Sequence, residues 1–313
     1  MIFQNIPIKS ISQINTKFKI TTNSSITELV HSVKDIGVIC PPILKKEDSE
    51  FIIISGFRRI QACQSCGLES VDVRTVDDNT TDLKCAQIAI TDNSYQRQLN
   101  IVELSRAFNI LSSLVHDVKQ ISKLSLSLNL PENYNLIKKI KTVVALPLNI
   151  QSHIIDNNIT LSNALELMEL EGINVKLADL FANFKLSVNK QKEIITFFKE
   201  ISLRENKTAI EIFNESNIQN IINDSEMDRN QKAERLRYYL KERRFPVIIK
   251  AKNDFEELIQ SLKLSHNTKL IPPRDFEGKV YSLNFSFTKL KELDELKNSI
   301  EKIQSNPYIK KLI

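Results

Sequence analysis

The chain has 313 residues, enough for two or three domains of ordinary size, and its 42% hydrophobic and 26% charged content is that of a globular protein, not a disordered one. A formal net charge of +5 permits a nucleic-acid partner without requiring one. No apolar run approaches the length of a membrane span, and the five glycines, no two of them close neighbours, exclude a Walker loop or a GxGxxG fingerprint.

The chain opens Met1-Ile2-Phe3-Gln4-Asn5-Ile6-Pro7, without the basic-then-apolar pattern of a secretory leader, so a cytoplasmic location is expected. Through the first hundred residues strand-like and helix-like stretches alternate. Strands are predicted over 6–14, 42–45, 51–55 and 70–76. Helices are predicted over 25–36, 57–66 and 81–90, with Ser25 as N-cap and Glu28 at the capping-box position. Cys63 and Cys66 have the spacing of half a zinc site, but no second pair completes it, so buried reduced thiols are expected.

From about residue 100 to 166 the pattern is helical. Residues 101–115 put Leu104, Phe108, Leu111 and Val115 on one stripe. Residues 119–128 and 134–145, separated by Asn129-Leu130-Pro131-Glu132, form a helix–turn–helix candidate with Asn129 in the left-handed turn position. In such a unit the second helix lies in the major groove. Here Lys138, Lys139 and Lys141 suit phosphates, and Asn133 and Asn135 suit adenine edges. A helical hairpin with a solvated lysine face is the plainer alternative.

Beyond 171, helices are expected over 177–184, 190–203 and 208–223, followed by a strongly basic helix over 231–244. That helix reads either as a solvated face or as a second DNA contact. A helix over 254–264, a Pro272-Pro273 loop, a strand over 280–288 and a last helix over 289–304 complete the chain. Tyr281, Leu283, Phe285 and Phe287 alternate with polar residues, and Val247-Ile248-Ile249 or a second subunit is the expected strand partner.

The most informative stretch is Ser55-Gly56-Phe57-Arg58-Arg59-Ile60-Gln61-Ala62, which follows the apolar run Phe51-Ile52-Ile53-Ile54. A strand, a glycine and two arginines in the first turn of a helix make a phosphate site. The unpaired N–H groups and the dipole favour an anion, and each guanidinium adds a planar fork of donors. A solvated arginine pair is the alternative on these residues alone.

Two further motifs flank it: Leu29-x-x-Ser32-Val33-x-x-x-Gly37-Val38-Ile39-Cys40-Pro41-Pro42 upstream, and Asp92-Asn93-Ser94-Tyr95-Gln96-Arg97-Gln98-Leu99-Asn100-x-x-Glu103 downstream. In this order the three motifs resemble the N-terminal domain of the ParB partition family, over about the first half of the chain. The resemblance implies a small mixed-sheet nucleotide-binding domain over 1–98 and a helix–turn–helix domain over 99–168; with the residue pattern of a mostly helical C-terminal domain with a short β element over 169–313, the expected fold is α+β. The resemblance also implies CTP and Mg²⁺ as ligands, double-stranded DNA as partner, a homodimer closing as a clamp, and a ParA-type ATPase, with no membrane partner.

By the same resemblance Gly56, Arg58 and Arg59 would hold the triphosphate, Asn93 and Arg97 would complete the pocket, and Asp92 with Asn93 would face the metal. Phe57 stands where the family has glutamate, and the third motif has Asp92 for glutamate and one extra residue before Gln96-Arg97. CTP turnover is therefore expected to be slow at most, with Asp92 the one candidate catalytic carboxylate. A sulfiredoxin-like enzyme would need cysteine at Phe57, and His31, His116, His153 and His266 are too scattered for a nuclease. The alternative function is a DNA-binding regulator or adaptor with a decayed nucleotide pocket.

Overall fold

The computed structural model describes residues 1–307 and 309, in two compact units: residues 1–169 with 174–188, and residues 170–173 with 189 onward. The fold is α+β, a small mixed sheet followed by helical layers. In the first unit the elements run β1 (Ile2–Pro7), α1 (Thr27–Ile36), β2 (Ile43–Glu47), β3 (Glu50–Ser55), α2 (Phe57–Ser65), β4 (Ser70–Thr75) and α3 (Asp82–Ser94). The sheet order is β1-β4-β2-β3, with β2 and β4 parallel and the other neighbours antiparallel.

β3 shows why a strand with four apolar residues forms here. Ile53 joins Leu44, Val71 and Val73 against Val33 of α1 and Ile60 and Cys63 of α2. Its neighbours Ile52 and Ile54 point the other way, into a core with Ala86, Ala89 and Ile90 of α3. Both faces of the strand are covered, so the run is apolar throughout instead of alternating.

The second core continues into the helical layer: α4 (Ile101–Leu114), α5 (Val118–Ser127), α6 (Tyr134–Lys141), α7 (Leu148–Ile155), α8 (Leu161–Leu167) and α9 (Asn174–Asn183). Phe108 and Leu111 of α4, Ile121 of α5, and Ile137 and Ile140 of α6 join Phe18, Ile20 and the α3 residues in one cluster. Asn129 takes φ 56° in the turn before α6, as expected.

The second unit contains α10 (Val188–Glu205), α11 (Ala209–Phe213), α12 (Ser216–Asn223), α13 (Arg229–Arg244), α14 (Pro246–Leu262), β5 (Thr268–Ile271), β6 (Ser282–Phe285) and α15 (Leu293–Ser305). β5 and β6 form a separate antiparallel pair. No described helix is long and apolar enough to cross a membrane.

Several expectations from sequence are corrected. The strand expected over 6–14 ends at Pro7, which has no N–H for the ladder, and a 3₁₀ turn follows. Helix α1 starts at Thr27 after Ile26, so Ser25 is not its cap. The helix expected over 208–223 breaks at Asn214-Glu215, where Glu215 is extended. Val247-Ile248-Ile249 lies in the first turn of α14, not in a strand, because Pro246 at the first helical position favours a helix start. The strand partner is β5 instead. Cys63 and Cys85 are buried free thiols, but Cys66 is half-buried and Cys40 exposed.

Candidate functional site

Gly56 joins β3 to α2 in a left-handed conformation, φ 98°. A Cβ there would lie 2.8 Å from Cβ of Pro42 and 3.2 Å from Nε of Arg59. Only glycine therefore allows the turn to press against the Pro41-Pro42 segment while Arg59 folds back over it. The first turn of α2 contains no acid, and Phe57 occupies its first position.

The two arginines leave this turn in different directions. Arg58 donates through Nε (3.0 Å) and Nη2 (2.5 Å) to the carbonyl of Ser25, just before α1. Arg59 donates through Nη1 to the carbonyls of Cys40 (2.6 Å) and Pro41 (3.2 Å), and through Nη2 to Oδ2 of Asp92 at 3.2 Å. Asp92, on α3, also accepts from the Ser55 hydroxyl at the end of β3 and from Nε2 of Gln96 at 3.1 Å. The structure thus brings Gly56, Arg58, Arg59 and Asp92 together, and adds Ser55 and Gln96.

The remaining residues of the third motif do other work. Helix α3 runs to Ser94, four residues past its expected end, and the Asn93 amide donates back to Ala89 of its own helix at 2.8 Å. Arg97 lies beyond the helix and forms a two-pronged pair with Glu103, 2.6 and 2.7 Å. Glu103 is 1% exposed. Burial alone would raise its carboxyl, but donors from Arg97, Thr22 and Asn100 outweigh that and hold it below the usual carboxylate range. Asn100 caps α4 in a reciprocal box with the same Glu103. The Gln-Arg…Glu spacing therefore encodes a buried latch at the start of α4, and Arg97 makes no hydrogen bond to Asp92.

Asp92 does not fit a magnesium ion held by the protein. Both Asp92 oxygens already accept from Ser55, Arg59 and Gln96, and a guanidinium stands where a divalent cation would approach. Among the described residues no group of three or more His, Cys, Asp or Glu side chains could hold a metal.

Lys19 was not foreseen: its Nζ lies 5.9 Å from the Phe57 ring centroid, at the start of α2. Nothing in its local sequence marks it, because only the packing of Phe18 and Ile20 in the core carries it there.

At the helix–turn–helix, Ile137 and Ile140 face inward while Asn135, Lys138 and Lys139 are exposed and Lys141 is half-buried. Asn133 caps α6, its side-chain oxygen accepting from the Leu136 N–H at 3.1 Å, so that oxygen is committed. The helix stops at Lys141 and continues as a 3₁₀ turn over Thr142–Ala145, shorter than the expected 134–145. The carbonyl of Lys141 is held by Ser105 and Asn109 of α4 at 3.2 and 2.9 Å. Lys139 lines a cleft of about 220 Å³ with Leu161, Leu165, Glu166 and Glu169, on the side facing α8.

Three arginines of the basic helix α13 are spent internally, while Arg229 and Arg235 are exposed. Arg237 pairs with Glu193 at 2.5 Å, Arg244 with Glu200 at 2.5 Å, and Arg243 with both Glu205 and Glu215 at 2.5 Å. The Arg243 hydrogen bonds hold the Glu205 carboxyl down to about 2.

An α/β domain with a Gly-Arg-Arg strand-to-helix turn, sharing a core with a helix–turn–helix layer, defines the class of this chain. Residues 1–94 match the model of the ParB N-terminal domain. The probable chromosome-partitioning protein ParB of Helicobacter pylori is 24% identical over 183 residues, covering 58% of this chain and 61% of that protein. The nucleoid occlusion protein of Bacillus thuringiensis is 28% identical over 200 residues, covering 62% and 66%. The match thus spans about three-fifths of the length of these relatives. A solved structure of C-terminally truncated ParB from Caulobacter crescentus complexed with CTP-γ-S covers 58% of this chain and 99% of that one at 20% identity, with a TM-score of 0.28. Residues 1–94 are thus similar to the ParB N-terminal domain, and about three-fifths of the chain is similar to chromosome-partitioning and nucleoid occlusion proteins.

Proposed function

We propose that this chain is a ParB-like DNA clamp that binds a cytidine nucleotide at the Gly56–Arg59 turn and duplex DNA through α6, as a homodimer. The observation that carries the reading is the turn itself. Left-handed Gly56 places two guanidinium groups and an acid-free helix start at one point, within the matched residues 1–94. Both arginines now hold backbone carbonyls, partners that a phosphate can displace with stronger charge-assisted bonds.

For DNA, Lys138 and Lys141 are the phosphate contacts and Asn135 the base reader. The dimer is supported by β5–β6, a two-stranded ribbon beside exposed Val280, Phe287 and Leu290, an arrangement that is marginal alone. Turnover of the nucleotide is expected to be slow.

A second reading, a DNA-binding regulator or adaptor with a decayed pocket, is favoured by one observation: Arg58 is held by the Ser25 carbonyl and Arg59 by Cys40, Pro41 and Asp92 without a ligand. Calorimetric titration with CTP separates the two. Saturable binding supports the clamp, whereas DNA binding without any CTP binding establishes the adaptor.

A further inference from the structure

A nucleoside triphosphate brings several negative charges, which a site meets with a divalent cation or with cations of its own. At the Gly56–Arg59 turn the chain supplies Arg58, Arg59, Lys19 and the N-terminus of α2, a helix of nine residues. Asp92 is the carboxylate hydrogen-bonded to Arg59, and both of its oxygens accept hydrogen bonds. Oδ2 accepts from Ser55 and Arg59, and Oδ1 accepts from Gln96.

Magnesium demands a near-octahedral shell of oxygens at about 2.1 Å. On Asp92 it would have to share a carboxylate already bonded to Ser55, Arg59 and Gln96 and sit beside the guanidinium, cation against cation. A phosphate oxygen meets the opposite situation. It replaces one Asp92 bond to Arg59 with an equivalent charge-assisted bond, and Asp92 keeps Ser55 and Gln96.

We propose that this site binds nucleotide phosphates without a divalent cation held by the protein, and that Asp92 is the internal counter-ion of Arg59 instead of a metal ligand. The inference rests on the nucleotide reading above and deepens it.

The test is calorimetric titration of the full chain with CTP in excess MgCl₂ and in excess EDTA. The expected result is binding in both, with affinities within about threefold of each other. A loss of about tenfold or more in EDTA overturns the inference while leaving the nucleotide reading intact. Absence of binding in both conditions removes the nucleotide reading and this inference together. Asp92→Asn adds a test of sign: a counter-ion role predicts CTP affinity in EDTA at or above wild type, because Arg59 is released. A loss of about tenfold in MgCl₂ would make Asp92 a metal ligand. A circular-dichroism melt checks that the variant folds, and the wild-type comparison stands without it.

Discussion

Two arginine clusters, Arg58-Arg59 on α2 and Arg237, Arg243 and Arg244 on α13, look alike in sequence and have different fates in the fold. The α13 arginines meet four carboxylates, Glu193, Glu200, Glu205 and Glu215, supplied by α10 and the start of α12. The α2 arginines meet mainly backbone carbonyls of Ser25, Cys40 and Pro41, with one carboxylate between them. Charge on the three α13 arginines is neutralised by carboxylates; in the α2 pair Asp92 offsets Arg59 alone, and Arg58 is held by an uncharged carbonyl. A cluster of cations becomes a candidate anion site when the fold gives it acceptors without charge.

Breaking the neutralised cluster should have the largest effect. Arg243→Ala leaves Glu205 and Glu215 facing one another with Lys207 as the remaining cation close to both. The expected loss is about 3 kcal/mol of stability for the second unit, read by chemical denaturation. A change below about 0.5 kcal/mol would reduce the cluster to ordinary surface pairs. The same cluster sets an acid limit. Its carboxyls are depressed, so the stability they contribute is full above the ordinary carboxylate range, near 4.5, and is lost as pH falls toward about 2, the folded value of Glu205. Far-UV circular dichroism of Arg243→Ala and wild type across that window should show the variant without this step.

The open cluster is tested next through its turn. Gly56→Ala forces a Cβ to 2.8 Å from Pro42 at a φ of 98°, and should cost about 2 kcal/mol of stability together with CTP binding. Arg59→Ala should weaken CTP by about ten- to a hundredfold, the worth of one charge-assisted contact, with little change in melting temperature. The same substitution at Arg237 should leave CTP affinity untouched. If Arg237→Ala weakens CTP as much as Arg59→Ala, the contrast between the clusters fails.

The smallest expected effects lie on α6. Lys138→Ala should weaken binding to all duplex sequences and lower the slope of log K against log salt by about 0.9. Lys139→Ala should change that slope little, since its side chain lines the cleft with Glu166 and Glu169. Equal slopes for the two variants would show that both lysines face DNA.

The strands around 51–55 and 70–76, the Gly56 turn and the left-handed Asn129 were legible because each depends on a local rule: apolar runs, glycine's freedom at positive φ, and asparagine's tolerance of it. The packing partners of the third motif were not: Arg97, expected at the nucleotide, pairs with buried Glu103, and the Asn93 amide N–H donates to Ala89. Helix length decided this. Once α3 runs to Ser94, Asp92 faces Ser55 and Arg59, while Arg97 falls past the helix end beside the cap of α4.

By itself the sequence determined the order of elements in the first half, the position of the Gly56 turn and the left-handed turn at Asn129 between α5 and α6. Those follow from interactions between residues a few positions apart, which the chain carries wherever it goes. Tertiary structure alone decided which charges remain open. Lys19 reaches Phe57 because Phe18 and Ile20 are buried, and Arg243 is neutralised because Glu205 and Glu215 arrive from other helices. Such pairings join residues far apart in the chain, where side-chain reach and burial choose the partner and sequence spacing has no say.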